Sequence, residues 1–371
     1  MILGIDATNI KSDGGQVHLF EILNNFNFRN SKINKIIVWG NFASLNKIKK
    51  NKNITKIYIK NISNNSVYRL IWQFFFLPKQ LKFYNCNILF VLGGVLVRKS
   101  TKTVSIFQNI LPFINDDIER YNFLTRVKLR IQKKIYLNTF KNSDGLIFLS
   151  NYSQRILKKE MNLQYKRKMI IPHGVSKIFK FKNRKNRKNR KNIIKILYVS
   201  KIDLYKNQVK ILEVIDLLKN KFNLKLSLVG SYDYKNKNLL LDKIYKLKIV
   251  DQVQILGRLK YKDLPRLYHS HDLKIYASKS ETFGMTMLEA MKCGLPVLAT
   301  KTQISREILS NAGFFCKDSI FDISNALENI IKKNNFRKKI LQGKKISEKY
   351  SWKITSKNTF KFIEDIGSKI D

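Results

Sequence analysis

The sequence predicts an α/β protein made of two doubly wound parallel-sheet domains that place a ligand cleft between them. Three observations lead there. Short apolar runs of strand length alternate with amphipathic stretches of helix length along the chain, the pattern of parallel sheets with crossover helices. The 371 residues suffice for two domains that each bury a core. At 180–192 the chain reads Lys-Phe-Lys-Asn-Arg-Lys-Asn-Arg-Lys-Asn-Arg-Lys-Asn. That repeat can bury almost nothing and repels itself, so it reads as a solvated linker between a domain over 1–179 and a second from 193 onward.

In the first half the strands are expected at 2–6, 35–39, 56–59, 88–91, 103–107 and 145–149, each a short apolar run rich in isoleucine, leucine, valine or phenylalanine. Helices fill the intervals, including 16–25 and the long segment 121–140. After the linker, Ile-Lys-Ile-Leu-Tyr-Val at 194–199 restarts the alternation. Strands follow at 224–229, 253–256, 273–276, 296–299 and 313–315, with helices at 208–220, 238–247, 264–269 and 286–292. Ligands in such sheets bind beyond the carboxyl ends of the strands, where loops feed helix N-termini.

Charge is the loudest compositional feature. Lys and Arg number 72 against 26 Asp and Glu, a formal charge of +46. Lys, Asn and Ile are abundant throughout, as an AT-rich genome would produce, and part of the excess is assigned to that drift. The remainder favours anionic partners: a membrane surface, an anionic substrate or a nucleic acid. A nucleic-acid arm would interleave base-stacking aromatics with its cations. The linker does not, so no nucleic-acid partner is expected. Cys86, Cys293 and Cys316 have neither metal-ligand spacing nor the density of a disulfide framework, which points to reduced thiols in a cytoplasmic protein. The N-terminus reads as a first strand rather than an export signal. The apolar run at 70–77 is interrupted by Gln73 and falls short of the ~20 residues that cross a bilayer.

The chemistry concentrates in Ser278-Lys279-Ser280-Glu281-Thr282-Phe283-Gly284-Met285-Thr286-Met287-Leu288-Glu289-Ala290-Met291-Lys292-Cys293-Gly294-Leu295-Pro296-Val297. A strand ends, a polar loop follows, Gly284 permits close approach of the backbone, and a helix begins. The free N–H groups at that start suit a diphosphate. Two carboxylates eight residues apart, Glu281 in the loop and Glu289 in the helix, can reach one ligand at different points. A capping acid with a solvated glutamate is the bland alternative for that pair.

The whole segment resembles the signature of the retaining GT-B glycosyltransferases of the family 4 type, the glycosyl transferases group 1. Lys292 stands where a small residue is usual. The resemblance extends to Leu197–Gln208, where Lys206 falls on the family's phosphate-binding lysine and Lys201 on its arginine; an ammonium there keeps the charge but loses a fork that grips phosphate twice. Ile171-Pro172-His173-Gly174-Val175, Leu228-Val229-Gly230 and Ile255-Leu256-Gly257-Arg258 are similar to further family segments, with His173 replacing an asparagine. Leu267-Tyr268, Asp272 and Arg306-Glu307 also match. Tyr350-Ser351-Trp352 resembles the opening of the family's last helix, which implies a second domain ending at 351 and a helix over 352–371 returning to the first. Ser12-Asp13-Gly14-Gly15-Gln16 resembles the family's Gly-Gly loop. Gln108 and Asn109 occupy the place where many relatives carry an acceptor-side histidine.

What the resemblance implies is two Rossmann-like domains and transfer of a sugar from a nucleoside diphosphate with retention at the anomeric carbon. Lys201, Lys206, Gly15 and the N–H groups at Gly284, Met285 and Thr286 would stabilise the leaving diphosphate. Glu281 would orient the donor sugar, Glu289 would hold the ribose hydroxyls, and Gly230, Arg258 and Phe283 would complete the donor site. No metal and no cofactor beyond the sugar-nucleotide donor are expected. A helix over 121–140 sets Leu124, Val127, Ile131 and Ile135 on one stripe among Arg126, Lys128, Arg130, Lys133 and Lys134. Such a helix either packs in the domain with a basic outer face or lies on an anionic membrane. With the net charge it favours a glycan or lipid-linked acceptor at the inner face of the cytoplasmic membrane, in surface polysaccharide or lipopolysaccharide assembly. A nucleotide-sugar epimerase or a phosphorylase on the same fold is the competing enzyme reading, but neither finds the extra catalytic groups it would need.

Overall fold

The computed structural model describes residues 1–10, 14–62, 64–164, 166–182 and 193–368. Ser12 and Asp13 of the glycine-rich loop and most of the basic stretch, 183–192, lie outside these residues. The chain divides into two compact units: Met1–Ile118 with Asn122–Gly174 and Tyr350–Asp371, and Val175–Lys349 with Glu119–Tyr121.

The first unit holds seven parallel strands: β1 Ile2–Asp6, β2 Lys35–Gly40, β3 Ile54–Tyr58, β4 Ile88–Val91, β5 Lys102–Phe107, β6 Gly145–Phe148 and β7 Arg167–Ile170. Their order is β3-β2-β1-β4-β5-β6-β7. β7 has no counterpart among the expected strands. It is an edge strand with Arg167, Lys168 and Met169 exposed, so it carries cations where an interior strand carries apolar side chains. The last helix, Trp352–Gly367, belongs to this unit: Ser356 Oγ donates to the Ile22 carbonyl (2.7 Å) and Thr355 Oγ1 to that of Pro172 (2.8 Å). Gly174 has no alternative beneath it, since a Cβ there would stand 2.1 Å from the Trp352 nitrogen.

The second unit holds six: β8 Ile193–Val199, β9 Asn223–Val229, β10 Val253–Gly257, β11 Leu273–Tyr276, β12 Val297–Thr300 and β13 Phe314–Cys316. They pair in parallel in the order β10-β9-β8-β11-β12-β13. The chain joins this unit at Val175, ahead of the basic stretch, because Phe179 is buried edge-on against Tyr261 and Tyr268, with ring centroids 5.4 and 5.7 Å apart. β8 and β11 are neighbours although two strands intervene in sequence. The winding reverses between them, and the loops leaving their carboxyl ends diverge around a crevice, the place where doubly wound sheets bind ligands.

Among the described residues no helix is long and apolar enough to cross a membrane. Cys86, Cys293 and Cys316 are free thiols.

Candidate active site

The loops after β8 and β11 are tied by Tyr198, buried near the end of β8. Its hydroxyl donates to the Lys206 carbonyl and accepts the Ala277 N–H at 3.2 Å. Asn207 takes the left-handed conformation (φ 58°) between the 3-10 turn Leu204–Lys206 and the helix Gln208–Leu218. Its side-chain amide donates to the Ala277 carbonyl at 2.9 Å. These bonds hold the two loops in register, so Lys206 and Glu281, 75 residues apart, form an ion pair.

Lys206 is almost wholly buried, with its ammonium 4.5 Å above the Tyr205 ring. Glu281 also accepts from Ser278 Oγ at 3.2 Å, which orients the carboxylate. Such a pair is held by geometry as much as by charge, since breaking it leaves one ion desolvated. Lys201 stands apart from it. Its ammonium pairs with Asp203 (2.8 Å) and its side chain is 46% exposed. Asp203 also accepts from Tyr121. Gln208 braces the turn from behind, donating to Ser200 Oγ (2.9 Å) and the Lys201 carbonyl (2.8 Å).

Gly284, at φ 79°, precedes the helix Met285–Lys292. A Cβ at Gly284 would lie 2.5 Å from Met287 Cε and 2.8 Å from the Tyr276 hydroxyl, so glycine is required both for the turn and for the space. Phe283 is buried beside it, while Met285 and Thr286 are half-buried at the start of the helix. One turn further on, Glu289 is buried and accepts from Tyr268 OH at 2.8 Å. Burial pushes its carboxyl up to about 7, against the opposing pull of the Tyr268 bond and the Lys274 ammonium.

Gly230 closes the neighbouring strand end. A Cβ there would meet the Ser200 carbonyl oxygen at 1.9 Å, so the loop after β9 can approach the β8 loop only as glycine. Arg258 follows β10 and is exposed. Gly15 lies in the first unit, at the start of the helix Gly14–Asn24. A Cβ on it would come within 4.0 Å of Gln108 Oε1. Asn109 accepts the Leu111 N–H and points its amide at Tyr136 OH (3.4 Å). His173 is a buried partner of His18, Nδ1 to Nδ1 at 2.9 Å, and both rings pack on Trp352. The pair is structural.

Sequence reading missed one member. Lys274, in β11, is fully buried, its Nζ 5.8 Å above the Tyr268 ring and without a hydrogen-bond partner among the described residues. Burial lowers its ammonium to about 7, and Glu289 opposes that shift. The available signal was a lysine inside an otherwise apolar strand, Leu273-Lys274-Ile275-Tyr276. It was hidden by the abundance of lysine elsewhere. Among the described residues no group of three or more acidic, histidine or cysteine side chains could hold a metal.

An oriented carboxylate against a buried ammonium, a helix start with close backbone access and a second buried carboxylate converge on the strand switch of the second unit. Residues 179–346 match the profile of the family described as glycosyl transferases group 1. Over that stretch, a little under half of its length, the chain is similar to that family. The matched stretch includes the loop with Glu281 and the helix with Glu289. The chain spans about half the length of the curated relatives it matches. It is 28% identical over 169 residues to MJ1607 of Methanocaldococcus jannaschii, an uncharacterized glycosyltransferase, covering 44% of this chain and 43% of that one. Among solved structures, WaaG, a glycosyltransferase involved in lipopolysaccharide biosynthesis, superposes with a TM-score of 0.72 at 15% identity, over 98% of this chain and 99% of that one. Anabaena HepE in complex with UDP-glucose gives 0.72 at 17%, over 97% and 98%. These likenesses show the GT-B fold, two Rossmann-like units.

Proposed function

We propose that the protein is a retaining glycosyltransferase of the family 4 type, moving a sugar from a nucleoside diphosphate to a glycan or lipid-linked acceptor. The observation that carries the reading is the Lys206–Glu281 pair beside Gly284, at the strand switch where a phosphorylated ligand meets a helix start. The leaving diphosphate gains negative charge as the glycosidic bond lengthens. In this reading Lys206 and the N–H groups of the Met285–Lys292 helix start receive it. Lys201 adds a mobile cation once it leaves Asp203. Glu281, released from Lys206 by the diphosphate, accepts hydrogen bonds from the donor sugar, and Glu289 accepts them from the ribose. The charge work falls to these cations, so the reading needs no resident metal or cofactor. That HepE is bound to UDP-glucose in its structure is in keeping with a nucleotide-sugar donor.

The acceptor reading draws on the helix Phe123–Asn142. Leu124, Val127 and Ile131 are 75%, 36% and 54% exposed, while Leu129, Tyr136, Thr139 and Phe140 form its buried face. Ile135, the fourth member of the expected stripe, packs instead against the core; the other three point outward among Lys and Arg, as on a helix that rests on an anionic membrane surface. We assign the protein to the cytoplasm, peripheral on the inner face of the membrane, and to surface polysaccharide or lipopolysaccharide assembly, the process in which WaaG takes part.

The test is a scan of UDP-, GDP- and ADP-sugars for thermal stabilisation and slow release of nucleoside diphosphate, with Glu281→Ala in parallel. One nucleotide class should stabilise the wild type, and release should vanish in Glu281→Ala. Folded protein that responds to none of them would overturn the reading.

A further inference from the structure

In the first unit, the helical segment Ser66–Ile71 and the π-helical turn Trp72–Phe76 expose most of their apolar side chains and bury two polar ones beside Trp72. Val67, Tyr68, Ile71, Phe74, Phe75 and Phe76 point outward, between 39% and 64% exposed. Arg69 and Gln73, four residues apart on one face, point inward and are 6% and 0% exposed. A helix packed on a protein core in water shows the opposite arrangement.

Inward, Trp72 and Leu70 pack on core residues, and Arg69 and Gln73 add polar groups beside them. Gln73 donates to Asp6 at the end of β1 (2.6 Å) and to the Val95 carbonyl after β4 (3.0 Å). Arg69 Nη2 makes a long bond to Ser66 Oγ (3.3 Å), while its Nε and Nη1 have no hydrogen-bond partner among the described residues. Asp6 and Tyr136 are its charged and polar neighbours. The Tyr136 hydroxyl is in turn approached by Gln132 (2.8 Å) and by Asn109 (3.4 Å). The guanidinium thus belongs to the polar cluster of Asn109, at the ends of β1 and β4, the strand switch of this sheet. A guanidinium stays protonated in proteins and offers donors in a planar fork suited to phosphate. The outward side is apolar, with Arg98 lying 5.7 Å over the Phe74 ring.

We propose that Arg69 is the seat of a phosphate carried on an apolar chain, with the outward phenylalanines lying in the lipid that carries it. The proposal rests on the lipid-linked acceptor reading and narrows it to acceptors with a phosphate at the head. Uncharged lipids of the same length lack the group that Arg69 grips, and free phosphate lacks the chain.

Decyl phosphate, decanol and inorganic phosphate, titrated calorimetrically into the full chain below micelle concentrations, separate these sources. Decyl phosphate should bind at least tenfold more tightly than decanol or inorganic phosphate. Arg69→Gln should abolish that preference while leaving decanol binding unchanged, the loss of a charge-assisted bond corresponding to roughly 10- to 150-fold. Equal binding of decyl phosphate and decanol to the wild type would overturn the proposal, as would a preference that survives in Arg69→Gln. Should that variant not fold, labelling of Arg69 by phenylglyoxal in the wild type decides: decyl phosphate must block it and decanol must not. Sugar-nucleotide stabilisation, measured on the same samples, reports separately on the donor reading.

Discussion

Replacing Lys206 by methionine removes the ammonium and keeps the length and volume of the side chain. In the folded protein that ammonium is paired with Glu281, the two side chains being 7% and 23% exposed. Breaking a buried pair by deleting one partner costs about 3–5 kcal/mol. Glu281 keeps some contact with solvent and its bond from Ser278, which brings the expected cost to about 2–3 kcal/mol. For a unit of this size each kcal/mol shifts the melting temperature by about 2–4 °C, so Lys206→Met should melt roughly 4–12 °C lower. Nucleoside diphosphate affinity should fall as well, by the ~1.5–3 kcal/mol of a hydrogen bond to a charged group, roughly 10- to 150-fold. Calorimetric melting and titration of wild type, Lys206→Met, Glu281→Gln and the double variant form a cycle. The stability coupling should be ~0.5–3 kcal/mol, whereas the affinity loss of Lys206→Met should persist in the double variant. The reasoning fails if Lys206→Met melts with the wild type, or if the nucleotide binds it unchanged.

Nucleotide binding should strengthen from pH 6 to pH 8. Glu289 is raised to about 7, and its ionised form, present above that pH, accepts hydroxyl bonds best; Lys274→Met removes the nearby cation, raises the carboxyl further and should move the midpoint of the titration upward. A flat pH profile would rule out Glu289 as the ribose acceptor. Gly230→Ala forces a Cβ to 1.9 Å from the Ser200 carbonyl, and its second unit should lose its cooperative melting transition; a normal transition would refute that close approach. His18 and His173 are neutral in the fold, the first held well below its ordinary range and the second lowered to about 3, both mainly by burial. Folded values below the unfolded ~6.5 mean that their contribution is complete above pH 6.5 and is lost as pH falls toward 3. Trp352 emission, next to both rings, should report unfolding in that window, and His173→Asn should flatten the profile; an unchanged acid midpoint in that variant would dismiss the pair as its source.

Strand alternation and the Ser278–Val297 segment were legible because both are local. A parallel strand buried on two faces writes its apolar run directly into the chain, and a loop feeding a helix start needs glycine and acids at set spacing. β7 was not legible, since an edge strand carries no such run. The Lys201 expectation shows another limit. Spacing placed a cation in the loop after β8, but the Asp203 carboxylate two residues on takes it at 2.8 Å. Lys274 was invisible among 72 basic residues, as only burial distinguishes it. The stripe on Phe123–Asn142 was visible as periodicity, yet periodicity reads alike for a packed face and an exposed one.

By itself, then, the chain determined its alternation of strand and helix and the family that its second half resembles. The identities of Lys206, Glu281, Gly284 and Glu289 also came from it. The tertiary structure decided which of these meet. Reversal of winding at β8 and β11 brings residues 75 positions apart into one ion pair, with Tyr198 and Asn207 locking the two loops, and contacts of that range leave no trace in local periodicity. It also decided which cations lie inside. Burial depends on what packs around a side chain, so Arg69 and Lys274 differ from the surface lysines only once the sheets have closed over them.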